Sequence, residues 1–439
     1  MTANTTSYRA LGAELFRMTW PMCFGVVALL GFQLVDSAFV ARLGVTPLAA
    51  LGFTVPVMQL VIGVQVGVGI ATTAVLSRVL GRGERDRAQR LGGLVVVAGA
   101  LVMLALAVAL WLGRHVLMAI MGAEADIGPV IDAYWVPWLI SAWLGAVLYI
   151  GYSVCRAYGD TRLPGLFMVI TSGINLALDP LFIFTLDWGL PGAAGATIVA
   201  FASGAAVVYA VLARRRWVAF DITFLPPLPA LGWLASIAGP AMVSQLMPPA
   251  AAVLATGLVA RFGSDAVGAW GLGSRLEFFS IVVVLALTMS LPPMIARAVG
   301  AGDLARVRAL VRLSVGFVLA WQLVIAAVWL VGHAPLAGLL ATDPAVKGHL
   351  AAYLVRVPLS YSGLGVCMLM VSTCNALGMP LRAVMASLVR LFICFLPALW
   401  LGASWGGLSG LFNGALVGNL AAGLAGWLIY AHAMRRLGY

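Results

Sequence analysis

Twelve stretches of this 439-residue chain are apolar over about 20 residues or more, and that series leaves few folds open. They run approximately over 14–41, 47–79, 89–112, 128–155, 163–186, 191–213, 231–261, 266–297, 307–332, 348–374, 381–402 and 407–433. In a hydrocarbon core about 30 Å thick, backbone groups find no water, so only helices and closed barrels cross it. The alternating ten-residue pattern of a barrel is absent. The expectation is an all-α integral membrane protein with twelve transmembrane helices. Composition agrees, because only 9% of residues are charged, against roughly 25% in a soluble domain.

The net charge of +11 reads as topology, not as a nucleic-acid surface, because the arginines sit in short loops between apolar runs. Arg78, Arg82, Arg85, Arg87 and Arg90 follow the second run, Arg214, Arg215 and Arg216 the sixth, and Arg297, Arg306, Arg308 and Arg312 the eighth. Arg42, Arg114, Arg261, Lys347 and Arg356 are the few basic residues left for the other face. The positive-inside rule therefore puts both termini in the cytoplasm of a multi-pass protein of the inner membrane.

No enzyme is visible. The cysteines, Cys23, Cys155, Cys367, Cys374 and Cys394, lie in apolar runs without CxxC spacing and read as small hydrophobes. The histidines are scattered near run ends, and no HExxH occurs. The polar stretch up to about Gly12 lacks the short apolar core and cleavage site of a signal peptide, so the first helix is the insertion signal.

The chain repeats itself at an offset of 219. Val40-Ala41-Arg42-Leu43-Gly44 matches Val259-Ala260-Arg261-Phe262-Gly263, and Pro21 falls on Pro240, Gly52 on Gly271, and Cys155 on Cys374. Arg78, Gly81 and Gly83 fall on Arg297, Gly300 and Gly302. An even number of helices per half gives parallel repeats, hence two pseudo-symmetric six-helix bundles around a central cavity. The expected lobes are residues 1–213 and 231–439, joined by a cytoplasmic linker at 214–230.

Several stretches together resemble the multidrug and toxic compound extrusion (MATE) transporters. They are Pro21 in the first helix, VDSAFVARLG followed by LAALG, the basic loop after SRVLGRGE, NLALDPLFIF followed by GAAGAT, and GLGSRLE in the eighth helix. The GxGxRxE pattern and the acid in the first helix are more similar to the DinF-like branch; the seventh helix carries Gln245 and no acid. The resemblance implies that Asp36 and Asp179 belong to a cation-coupling site in the N-terminal lobe, serving a proton or a sodium ion.

The residues support that site independently. Asp36 lies about six residues before the loop at Arg42 and Asp179 about eight before Asp187, so both sit roughly 10 Å below the outer surface. Asn175 and Asp179 share a helical face, and Gln33 lies one turn before Asp36. Thr197 and Tyr134 reach a similar level. Two carboxylates, an amide and hydroxyls suit a proton or a small hard cation, including a sodium ion held by Asp36, Asp179, Asn175 and Thr197. The second half lacks these acids, having Ala255 where Asp36 would fall. Such one-sidedness marks a specialised site rather than helix packing.

Alternating access with cation-coupled antiport follows. Two acids in a partly dehydrated pocket cannot both ionise cheaply, so one takes up a proton from the outer side. Removing that charge lets the first helix bend at Pro21, where an N–H is missing, with Pro180 a second weak point. Gln33, Tyr134 and Glu277, the last about 17 Å deep in its helix, are candidate cavity residues. The resemblance implies lipophilic, often cationic, drugs or metabolites as cargo, with no cofactor. The partners expected are an amphipathic small molecule and membrane lipids, with no nucleic acid, and the protein working as a monomer. A lipid or lipid-linked saccharide flippase of the same superfamily is the alternative. A membrane enzyme or receptor fits less well, because neither explains the repeat or the one-sided acids.

Overall fold

The computed structural model describes residues 8–121, 128–221 and 227–436, and these are almost entirely helical. Seven long helices open the chain with one short piece among them: α1 (Tyr8–Ala41), α2 (Val45–Gly81), α3 (Arg85–Leu112), α4 (Arg114–Met121, eight residues), α5 (Gly128–Ala157), α6 (Arg162–Pro180), α7 (Gly189–Arg214) and α8 (Pro227–Val259). The remainder are α9 (Ser264–Ser280), α10 (Val282–Gly300), α11 (Leu304–Leu340), α12 (Pro344–Arg356), α13 (Tyr361–Ala376), α14 (Pro380–Leu388) and α15 (Leu396–Arg436).

Among the described residues, eleven helical stretches are long and apolar enough to cross a membrane. The last, Pro380–Arg435, holds two crossings, because the chain reverses at Gly406 and Gly407, where φ reaches 58°. Its limbs pack at backbone contact: a Cβ on Gly402 would strike the Gly410 carbonyl, and one on Gly414 the Ala398 carbonyl. Glycine is required there because no side chain fits between the limbs. The fold is therefore the expected twelve-span helical membrane protein.

Several crossings are interrupted where the sequence suggested continuous helices. Pro358 lacks the N–H that would bond to the Leu354 carbonyl, and the chain passes through a 3₁₀ turn, Val357–Ser360, between α12 and α13. After Pro180 the ladder widens into a π segment, Leu181–Thr185, and a second π segment, Val389–Phe395, joins α14 to α15. A break at Ile281 separates α9 from α10.

The helices form two compact units. One contains residues 17–242 with 296–302, and the other contains 1–16, 243–295 and 303–439. The short exchanged pieces have visible anchors. Glu14 of α1 pairs with Arg306 of α11 at 2.6 Å. Arg297, near the end of α10, donates 2.6 Å to the Ala157 carbonyl.

Residues 222–226 of the expected linker lie outside the described residues, but its first part is fixed. Arg215 pairs with Asp160 at 2.6 Å, Trp217 stacks on Tyr158 at 4.8 Å, and Ala219 N–H donates 2.9 Å to the Gln89 carbonyl. The cysteines are all free thiols.

Candidate functional site

Three polar residues of the first unit, Asp36, Asp179 and Thr197, each stand one turn from a core residue. Val40 follows Asp36 on α1, Ile183 follows Asp179 beyond α6, and Ala193 precedes Thr197 on α7. All three join one buried cluster with Tyr134, Trp135 and Trp138 of α5. Packing of these apolar side chains therefore holds the polar ones in register, as a rigid supporting shell should.

Asp179 is fully buried and Asn175 is 1% exposed. The Asn175 amide is oriented by its neighbours. With its nitrogen toward Asp179 it donates 2.9 Å to both carboxylate oxygens, while its oxygen accepts from the Thr197 hydroxyl at 2.8 Å. The reverse orientation would set an oxygen against a carboxylate, so the network assigns the amide. The Thr197 hydroxyl also lies 3.0 Å from the Ala193 carbonyl.

Asp36 completes the group from α1. It is half-buried and close enough to Asp179 and Tyr134 to act on both electrostatically. One of its carboxylate oxygens is buried with no hydrogen-bond partner among the described residues. An orphaned carboxylate oxygen within electrostatic reach of a second acid is costly unless something positive shares the space. The residues thus fit a proton or a monovalent cation held between Asp36 and Asp179, with Asn175 steering the Asp179 oxygens.

The structure brings Asp36, Asp179, Asn175, Thr197 and Tyr134 together. Gln33 differs, since its side chain is exposed and its carbonyl accepts from Ser37 at 2.8 Å within α1. Pro21 lies inside an unbroken α1, and a Cβ on Gly165 of α6 would strike its carbonyl. Pro180 ends α6 where the π segment begins.

Glu277 belongs to a second group, in the other unit. It is half-buried on α9 beside Tyr353 of α12 and within electrostatic reach of Arg390. In the sequence Glu277 stood out as a candidate cavity residue, and Arg390 was passed over. Its only signal was a cation ten residues into an apolar run.

A helical protein of twelve crossings, with an internal repeat and a pair of acids grouped in its first half, has the architecture of a secondary transporter. Comparison with known proteins agrees. The MatE family model matches residues 21–181 and again 240–401, a second match shifted by the same 219 residues at its start. The chain belongs to the MATE family of transporters and is not an enzyme.

A FAD transporter of Shewanella oneidensis is 33% identical over 430 residues, covering 94% of this chain and 93% of that protein. The multidrug export protein MepA of Staphylococcus aureus is 23% identical over 423 residues, covering 94% and 92%. Among solved structures, the Vibrio cholerae MATE transporter VcmN in its bent form superimposes with a TM-score of 0.96 at 52% identity, covering 98% of this chain and 99% of that one. An outward-facing MATE family transporter at 21% identity, TM-score 0.93, shares the fold.

Proposed function

We propose that the protein is a cation-coupled antiporter that exports amphipathic small molecules by alternating access, driven through Asp36 and Asp179. The orphaned Asp36 oxygen, on a carboxylate within electrostatic reach of Asp179, carries this reading. Two acids so close hold one positive charge between them, a proton or a sodium ion, and release of the cargo is linked to its arrival. When the charge is matched, α1 has less reason to keep Asp36 apart from Asp179, and Pro21 is where its ladder yields most easily.

The arginine loops support an inner-membrane protein with both termini in the cytoplasm, and the 219-residue repeat supports lobes at 1–213 and 231–439 joined at 214–230. The acid in the first helix and the pattern GLGSRLE favour the DinF-like branch, and the chain works as a monomer among membrane lipids. With about 150 mV and one pH unit across the membrane, one proton supplies roughly 5 kcal/mol, an accumulation ratio on the order of a thousandfold.

The test is transport in proteoliposomes with imposed proton or sodium gradients and a cargo panel. Asp36→Asn and Asp179→Asn are each expected to reduce gradient-driven uptake to near background at wild-type protein content. Full activity in either variant, or transport indifferent to both gradients, rejects the coupling. The panel should include a flavin dinucleotide as well as cationic dyes, because the relative at 33% identity is a FAD transporter.

A further inference from the structure

We propose that Arg390, with Glu277 as its displaceable counter-charge, forms a site for the phosphate group of an amphipathic organic phosphate. The proposal rests on the transport reading and concerns the unit that lacks the coupling acids.

Arg390 lies ten residues past Pro380, about 15 Å into its crossing, where a guanidinium is expensive to keep and marks a functional position by default. It is half-buried, and its Nε is buried with no hydrogen-bond partner among the described residues. None of the ion pairs formed among the described residues includes it or Glu277. Glu277 is near enough to feel the charge but does not close on it. A buried pair kept for packing alone would be expected to close, because breaking such a pair leaves two uncompensated charges. Arg390 also stands in the π segment Val389–Phe395, a distortion that recurs at functional sites.

The internal repeat sharpens the argument. Tyr353 stands 219 positions after Tyr134, so each unit sets an acid beside the same tyrosine of its frame: Asp36 in one, Glu277 in the other. The third member differs. The first unit adds a second acid, Asp179, whereas the position 219 later is Ala398. The second unit adds Arg390, whereas the position 219 earlier is Thr171. One frame thus carries an anionic group for a cation, and its copy carries an arginine for an anion.

Phosphate is the anion that suits the group. A guanidinium presents a planar fork of donors matched to phosphate oxygens. The Tyr353 and Tyr361 hydroxyls, 3.5 Å apart, stand beside Glu277 and supply further donors. Trp270 and Phe412 hold Tyr353 edge-on at 5.7 and 5.5 Å, so its hydroxyl is rigidly placed. The arriving phosphate replaces the Glu277 carboxylate as the partner of Arg390.

The test is equilibrium binding to the purified full-length protein in detergent micelles, with flavin mononucleotide and riboflavin as a fluorescent pair differing by one phosphate. No gradient is needed, so the site and the coupling mechanism fail separately. Flavin mononucleotide should bind more tightly than riboflavin. Arg390→Gln should weaken the nucleotide about tenfold or more and leave riboflavin unchanged, while Arg390→Lys, which keeps the charge, should fall between. Glu277→Gln should act in the opposite direction and tighten nucleotide binding several-fold.

Displacement of the nucleotide by phosphatidylglycerol in nanodiscs, lost in Arg390→Gln, would assign the site to a lipid headgroup, and failure to displace would assign it to a soluble phosphate. Equal binding of the two flavins with no Arg390-dependent lipid binding overturns the proposal. Loss of both flavins together in Arg390→Gln, or weakening by Glu277→Gln, overturns it as well.

Discussion

Asn175 decides what Asp179 can offer. Donating to both oxygens of the carboxylate, it stabilises the ionised form and leaves Asp36 as the member of the pair with an oxygen to fill. Asn175→Leu removes that donor and buries Asp179 without a partner, a loss of about 1–3 kcal/mol for the charged form. The expected outcome is an apparent affinity for the coupling cation changed by about tenfold or more, read from the dependence of transport on proton and sodium concentration. Thr197→Val, which leaves the Asn175 donors in place, should have the smaller effect.

The acids were legible in the sequence because a charge inside an apolar run stands out without any structure, and helical spacing tied Asn175 to Asp179. Arg390 was no less conspicuous, but its meaning depends on what faces it. The Glu277 face is built from α9, α12 and the π segment, and no local pattern joins those three. For Gln33, spacing on one helix gave its place one turn before Asp36, and only the structure adds that its side chain is exposed.

At the scale of elements, α1 is the part on which the proposed cycle depends. It changes unit between Phe16 and Arg17, one turn before Pro21, and beyond that point it packs on α6 through small residues. A Cβ on Gly165 would meet the Pro21 carbonyl, and one on Gly25 would come within 2.8 Å of the Met168 sulfur. Gly165→Val should therefore push α1 off α6, costing about 1–3 kcal/mol as overpacking usually does. A lowered melting temperature in detergent is the expected readout, together with impaired transport. Pro21→Ala should do the reverse to stability, by restoring a ladder bond, while slowing the transport cycle.

Helix number followed directly from the apolar runs, whereas the interruptions did not. Pro358 and Pro180 do announce theirs, but whether a proline yields a kink, a 3₁₀ turn or a π segment is set by the neighbouring helices. The break at Ile281 has no breaker residue at all. Hydropathy could not register it, because the residues on both sides are equally at home in lipid.

On the scale of the whole molecule, the end of α2 and the end of α10 touch at bare backbone. A Cβ on Gly81 would strike the Arg297 carbonyl, and a Cβ on Gly300 would strike that of Arg78. Gly81→Val and Gly300→Val should each lower thermal stability in detergent by several degrees. Because both open the same contact, the double variant should be little worse than either single one. Fully additive losses would show that the two positions act independently.

This contact is written twice with one set of residues. Arg78 corresponds to Arg297 and Gly81 to Gly300, so the first half grips the second with the very surface by which it is gripped. A patch of that kind is self-complementary in the way a two-fold dimer requires. A single six-helix ancestor bearing it would have paired with its own twin before any fusion joined the genes. Joined in one chain, the two copies are free to differ elsewhere, and they do, with Ala398 in the place of Asp179 and Arg390 in the place of Thr171.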